Sequence, residues 1–260
     1  MSVVGSGIDL LRNMAEKVNL SQFVPYMPRL QRQAGRFEQA GLLYLDLFRE
    51  YGGLKPGDAV LDIGCGPGRM ANQMIEFIDS TGSYHGLDVV KSCITQCDRE
   101  LAAGRPNFHF AHMDVYNGRY NKRGKRLASE YRFPYPDTSF DFIILMSVFT
   151  HMLEEDTAHY ISEVGRLLAP GGRGFMTFFL LDEERRASIS EGNSRFKHPE
   201  GGCYVQRSGQ PEFAVAYPVT TITDLLVQND LKILGQVNYG SWDGKRSGLE
   251  FQDIVISMKS

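Results

Sequence analysis

The chain has 260 residues, 42% of them apolar, which suits one well-filled α/β domain with a small cap and argues against global disorder. Its 28 basic and 31 acidic residues leave a formal charge of −3, so there is no broad positive field for nucleic acid. No run approaches the ~20 apolar residues that cross a bilayer, and Cys65, Cys93, Cys97 and Cys203 form neither a disulfide-scaffold nor a zinc-ligand pattern. The N-terminus lacks a basic start followed by an apolar stretch, so a reduced, cytoplasmic protein is expected. Lys122, Arg123, Lys125 and Arg126 form a small basic cluster whose plainest reading is a solvated loop.

In chain order, Pro25 and Pro28 divide a partly helical opening, and Leu42, Leu43, Leu45, Leu47 and Phe48 mark a buried helix over residues 37–51. Gly52 and Gly53 stop it, and Lys55-Pro56-Gly57-Asp58 turns the chain into a short strand over 59–63. Helix 68–78, strand 83–89, helix 91–103 and strand 108–111 follow. Residues 114–136 are polar and turn-rich and read as an extended connection. Strand 140–146 is almost wholly apolar, as expected of a strand covered on both faces. Helix 156–168, ended by Pro170-Gly171-Gly172, leads to strand 174–181. Residues 182–218 break the rhythm and read as a cap, before a helix over 220–228 and strands over 231–239 and 250–258. Repeated strand–helix units favour a parallel open sheet with right-handed crossovers.

The most informative words are Val60-Leu61-Asp62-Ile63-Gly64-Cys65-Gly66-Pro67-Gly68-Arg69, a buried strand running into three alternate glycines and then a helix. Glycine permits the sharp turn and clears side chains from a ligand's path, and Pro67 suits a first helical turn. The dinucleotide fingerprint needs a third glycine where Arg69 stands. Asp62, at the strand's mouth, suits an ammonium better than two phosphates. Asp88 ends the second strand and can accept both ribose hydroxyl protons. Asp114, after the third strand, can receive an adenine amino group, or can simply lead a turn.

These residues resemble the class I S-adenosylmethionine-dependent methyltransferase family. The resemblance rests on Leu61–Gly68, Gly86-Leu87-Asp88, His112-Met113-Asp114-Val115, the stretch Phe133-Pro134-Tyr135-Pro136-Asp137-Thr138-Ser139-Phe140-Asp141 and Leu167-Leu168-Ala169-Pro170-Gly171-Gly172, in that order. It implies a Rossmann-like, seven-stranded α/β sheet with helices on both faces, the final strand antiparallel, and a small cap. The implied division is an N-terminal helical segment (1–54) contributing to the acceptor pocket, a cofactor-binding core (55–181), a cap insertion (182–218) and a closing helix with two strands (219–260). It further implies that the loop of Gly64, Cys65, Gly66 and Gly68 holds the methionine part of S-adenosylmethionine, Asp88 the ribose and Asp114 the adenine, with Asp62, Val89 and Val115 among the cofactor contacts. Ser147 would contact the cofactor or line its path to the acceptor. The chain is more similar to small-molecule enzymes than to nucleic-acid types, since Ser147-Val148-Phe149-Thr150-His151 replaces an Asn-Pro-Pro-Tyr-type sequence.

Methyl transfer chiefly requires alignment of an acceptor with an already activated carbon. For a hydroxyl acceptor, His151 at the catalytic edge is the expected base, with a structural or helix-capping histidine as its alternative. Tyr26, Phe149, His151, Tyr204, Tyr217 and Trp242 are the expected acceptor contacts, because aromatic faces suit a planar or apolar molecule. His198, Glu212 and Asp182 are weaker polar candidates. The expected activity is methylation of a small organic acceptor at a hydroxyl oxygen, releasing S-adenosylhomocysteine, with no metal, no nucleic acid and no membrane partner, and with a homodimer left open. N- or C-methylation, a nicotinamide-dependent oxidoreductase and a non-catalytic S-adenosylmethionine-binding interaction protein stand as alternatives.

Overall fold

The computed structural model describes residues 34–260; Tyr26 lies outside the described residues. Helix α1 (Ala34–Glu50) precedes strand β1 (Ala59–Ile63), helix α2 (Arg69–Met74), β2 (Ser83–Asp88), α3 (Lys91–Cys97), β3 (Phe108–His112), β4 (Phe140–Leu145), α4 (Glu154–Leu167) and β5 (Leu168–Phe178). The chain then makes β6 (Leu180–Leu181), α5 (Glu183–Ser190), β7 (His198–Glu200), β8 (Cys203–Val205) and β9 (Val215–Pro218). Helix α6 (Val219–Gln228), β10 (Leu231–Ile233) and β11 (Asp253–Lys259) complete it.

The central sheet has seven strands in the order β3-β2-β1-β4-β5-β11-β10. β1 to β5 run parallel, and β11 lies antiparallel between β5 and β10. This is the architecture implied by the sequence. Alternation along the strands explains the layers. Phe142 and Ile144 face one apolar cluster with Leu43, Leu47 and Met74 of α1 and α2, while Ile143 and Leu145 face another with Ile161, Val164 and Leu226 of α4 and α6. Sheet faces this apolar are stable only when helices cover both. Strand order reverses beside β1: the chain goes to β2 and β3 on one side, then returns to β4 on the other. A crevice opens at such a reversal, outside the carboxyl ends of the strands.

Several elements differ from their sequence reading. Leu42 is 49% exposed, on the outer face of α1 rather than in the core. Helix α2 stops at Met74 instead of 78, and α3 passes into a π-helical turn, Asp98–Ala102. The strand expected over 174–181 is two elements, because the chain changes partner at Phe179. Up to Phe178 it pairs with β11; beyond it, Leu180 and Leu181 pair with β9, and the Leu180 N–H turns to the Asp253 carboxylate at 2.6 Å. Gly235, with φ of 68°, ends the strand expected to reach 239. Residues 182–218, read as irregular, contain α5 and the short strands β7, β8 and β9, which join β6 in a second sheet ordered β6-β9-β8-β7. Strands of three or four residues are too brief to show a period in sequence.

A buried charge cluster ties α5 to the central sheet. Arg185 is 2% exposed and donates to Asp243 (2.6 Å), Asp253 (2.8 Å) and the carbonyls of Leu180 and Gly240. Asp253 also accepts from the Gly240 N–H and from Trp242 Nε1, both at 2.7 Å. Burial raises the Asp253 pKa, and the Arg185 charge opposes that rise. A buried pair so fully bonded is costly to break from one side only. Arg185→Met is therefore expected to destabilise folding by about 3–5 kcal/mol. Urea denaturation reads this directly, and a loss of under ~1 kcal/mol, typical of an exposed pair, would show the cluster to be dispensable.

Candidate active site

A largely apolar cavity occupies the crevice at the carboxyl ends of β1, β2 and β4. Of the residues expected to bind cofactor, Asp62, Gly64, Cys65, Gly66, Asp88, Val89, Val115 and Ser147 line it together. The loop after β1 is held by the loop after β2. Gly64 and Cys65 donate to the Leu87 carbonyl at 2.7 and 3.0 Å, and the Gly66 N–H donates to Asp88 Oδ2 at 2.8 Å. Gly66 has φ of 55°, and a Cβ there would project into open space. Gly68 serves a different purpose. It has φ of 82°, and a Cβ would run into Leu101, so its bareness admits the π-helical turn after α3 rather than a ligand. It does not line the cavity, and it caps α2, which leaves Pro67 ahead of the helix instead of in its first turn.

The two acids differ in their setting. Asp62 is 1% exposed and accepts the Tyr84 hydroxyl at 2.5 Å; burial raises its pKa to about 7 although that bond opposes the rise. Asp88 accepts the Gly66 and Val90 N–H groups on opposite oxygens, and its pKa is raised by burial against those donors. Asp114 does not line the cavity: its carbonyl accepts from Lys125 and Arg126, and its half-exposed carboxylate faces Lys125 at 3.8 Å. Its neighbours Met113 and Val115 supply the wall instead. Ser147 has left-handed backbone (φ 58°), a conformation costing roughly 1–3 kcal/mol in a non-glycine residue. The Thr177 hydroxyl, accepting the Ser147 N–H at 2.8 Å, helps to hold it there.

His151 follows β4 in a 3-10 turn, Phe149–His151, and lines the cavity. Its Nδ1 lies 3.0 Å from the Glu212 carbonyl. A carbonyl can only accept, so Nδ1 carries the proton and Nε2 keeps a lone pair. Burial, with the nearby Arg119 charge adding to it, pushes the His151 pKa down to about 4. The ring is thus neutral at physiological pH.

The other expected acceptor contacts lie elsewhere. Phe149 is wholly buried and stacked on Phe178 at 4.7 Å, in the core beneath the cavity. Tyr217 is also buried, its hydroxyl donating to the Met152 carbonyl at 2.7 Å, so it holds a wall residue rather than forming the wall. Trp242 belongs to the Arg185 cluster, 4.4 Å from that guanidinium, and half-buried Tyr204 sits in the second sheet. Asp182 caps α5 and pairs with Arg246 at 2.7 Å, and Glu212 acts through its carbonyl. Sequence reasoning missed Asn117, Tyr120, Asp156 and Tyr160, which all line the cavity. The first two fall in the stretch read as mere connection. The i, i+4 spacing of Asp156 and Tyr160 on α4 could have signalled a shared face.

Residues 60–172 match the family described as a methyltransferase domain. The chain is 30% identical over 152 residues to 27-O-demethylrifamycin SV methyltransferase of Amycolatopsis mediterranei (strain S699), covering 54% of this chain and 48% of that protein. It is 31% identical over 120 residues to an O-methyltransferase of Penicillium expansum, covering 45% and 36%. The chain thus spans half or less of the length of these relatives. Its fold matches that of 1,6-didemethyltoxoflavin-N1-methyltransferase from Burkholderia thailandensis with a TM-score of 0.55 at 16% identity, covering all of this chain and 92% of that one. Residues 60–172 are thus similar to a methyltransferase domain, and the strand order with the structural match gives the chain the fold of the class I S-adenosylmethionine-dependent methyltransferases.

Proposed function

We propose that this protein transfers a methyl group from S-adenosylmethionine to a hydroxyl oxygen of a small organic molecule. The observation that carries the choice of oxygen is the lone pair of His151 Nε2, left by the Nδ1–Glu212 bond on a ring lining the cavity. The two curated relatives, whose names specify O-methylation, favour the same atom.

The residues present suit the cofactor. The open space before Gly66 admits a ligand against bare main chain, and buried Asp62 offers a carboxylate to an ammonium. Asp88 retains lone pairs for ribose hydroxyls, while Val89, Met113 and Val115 offer apolar surface to a purine. Bound there, S-adenosylmethionine would supply an electrophilic methyl group, with S-adenosylhomocysteine as the product. His151 then accepts the acceptor's proton at Nε2 as the oxygen–carbon bond forms. The proton leaves late: an oxygen gaining a third bond is far more acidic than a free hydroxyl, so a ring with a pKa of about 4 is basic enough. No helix among the described residues is long and apolar enough to cross a membrane. A cytoplasmic setting without a metal or nucleic-acid partner belongs to the same reading.

Calorimetry with S-adenosylhomocysteine, S-adenosylmethionine and NAD tests the cofactor. Both methionine-derived ligands are expected to bind, and Asp88→Ala to weaken them about 10- to 100-fold, the worth of hydrogen bonds to a charged group. Tight NAD binding with no response to the others would overturn the reading. Methyl-labelled cofactor incubated with a metabolite extract, followed by mass spectrometry, should yield an O-methyl product; an N- or C-methyl product would change the acceptor atom, and no product would leave a binding protein.

His151→Ala should lower turnover about 10²- to 10⁴-fold while leaving S-adenosylhomocysteine affinity nearly unchanged. Nitrogen-detected NMR should show an unprotonated Nε2 from pH 8 to pH 5, and a midpoint near 6.5 would remove the assignment. Because the folded pKa is depressed, the unfolded chain binds this proton first as pH falls. The His151 contribution to stability is therefore lost as pH falls from about 6.5 to about 4.

A further inference from the structure

The contact between His151 Nδ1 and the Glu212 carbonyl decides which ring nitrogen carries the proton. A main-chain oxygen can do this only if it is itself held in place, and this one belongs to a single 3-10 turn, Pro211–Phe213. The next carbonyl along, that of Phe213, accepts from Arg119 Nη1 at 2.7 Å. The guanidinium lies over two rings, 4.8 Å from the Phe213 centroid and 5.3 Å from that of Tyr120. A planar guanidinium that both stacks and donates keeps little freedom of its own.

The turn bearing Arg119 is tied to His151 from the other end. Asn117 Oδ1 accepts the N–H groups of Arg119 and Tyr120, each at 3.0 Å, and Asn117 Nδ2 donates to the His151 carbonyl at 3.2 Å. A Cβ on Gly118 would run into the Glu212 carboxylate, so the same turn lies directly against Glu212. The contacts close a circuit. The His151 carbonyl holds Asn117, Asn117 holds the Arg119 turn, and Arg119 holds Phe213; the neighbouring Glu212 carbonyl then returns to the imidazole. We propose that Arg119 is a positioning residue, whose bond to the Phe213 carbonyl keeps the Glu212 carbonyl against His151 Nδ1 and so keeps the proton off Nε2. Its purpose rests on the methyl-transfer reading, in which the unprotonated Nε2 is the base.

The test reads both ring nitrogens of His151 by NMR at neutral pH in protein carrying isotope-labelled histidine, with His151→Ala assigning the signals. In the unaltered protein Nδ1 is expected to carry the proton and Nε2 none. Arg119→Met, which removes donor and charge, should move the two nitrogens toward a common averaged shift, because an imidazole without that bond samples both tautomers. Arg119→Lys keeps a charged donor and should restore much of the difference. Arg207→Met is the control. Arg207 lies over the same Phe213 ring at 3.6 Å, so its loss removes a stacked cation but not the carbonyl bond, and the His151 signals should not change. A single tautomer kept in Arg119→Met, or equal averaging in Arg207→Met, would overturn the proposal. If Arg119→Met does not fold, the Arg119 side chain of the unaltered protein decides. Separate Nη signals, from slowed rotation of the guanidinium, support the bond, and one averaged signal, as from a free arginine, overturns it. S-adenosylhomocysteine titrated into the unaltered protein tests the cofactor reading separately, since the tautomer is read without any ligand.

Discussion

The carboxylate of Asp88 ties the loop after β1 to the loop after β2, beside the bonds that Gly64 and Cys65 give to the Leu87 carbonyl. One oxygen takes the Gly66 N–H and the other the Val90 N–H, so the turn after β1 and the entry to α3 are fixed relative to each other. The Gly66 donor belongs to bare main chain, where a side chain would project into open space. A charged acceptor suits this task, since hydrogen bonds to an ionised group are roughly twice as strong as neutral ones. Burial works against the charge and raises the pKa of the group. The site thus holds its shape through a carboxylate that the surrounding protein makes harder to ionise.

Strand order supplies the rest. With β2 and β4 on opposite sides of β1, the loops that follow all three strands open onto one crevice, although they are far apart in sequence. The apolar clusters on the two faces hold those strands in register: Asp62 stands opposite Gly86 on one side and Ile144 on the other. Small errors in packing would therefore reach the cavity through the strands. Ser147, kept in left-handed backbone by the Thr177 hydroxyl of β5, shows the sheet imposing a conformation that the residue alone would not choose.

The wall of the cavity around the glycine loop was legible in the sequence because it is local. A strand, a glycine turn and a terminal acid fall within a few residues, and each carries a distinct chemical signature, so Asp62, Gly66 and Asp88 could be brought to one cavity from their words alone. The opposite wall was not. Phe149, Tyr217 and Trp242 have the composition of ligand walls, yet each is claimed by the core or by a structural polar contact. Composition cannot distinguish a ring that faces a ligand from one that faces Phe178. Tyr120 and Asn117 were hidden for the reverse reason: their stretch lacks any period, and the turn that presents them depends on contacts with the His151 turn. Asp114 fell between these cases, since the feature that suggested a base contact, an acid at a strand end, equally suits the bend it makes.

The Glu212 carbonyl that sets the His151 proton belongs to the insertion between β6 and β9, not to the sheet that carries the imidazole. The tautomer of a ring that lines the cavity is therefore set by a piece of chain outside that sheet. Swapping that stretch for another of different length would do more than reshape the cover: it would decide which ring nitrogen is free. Any replacement for that stretch must keep a main-chain oxygen at this one point in space if the His151 proton is to stay on Nδ1.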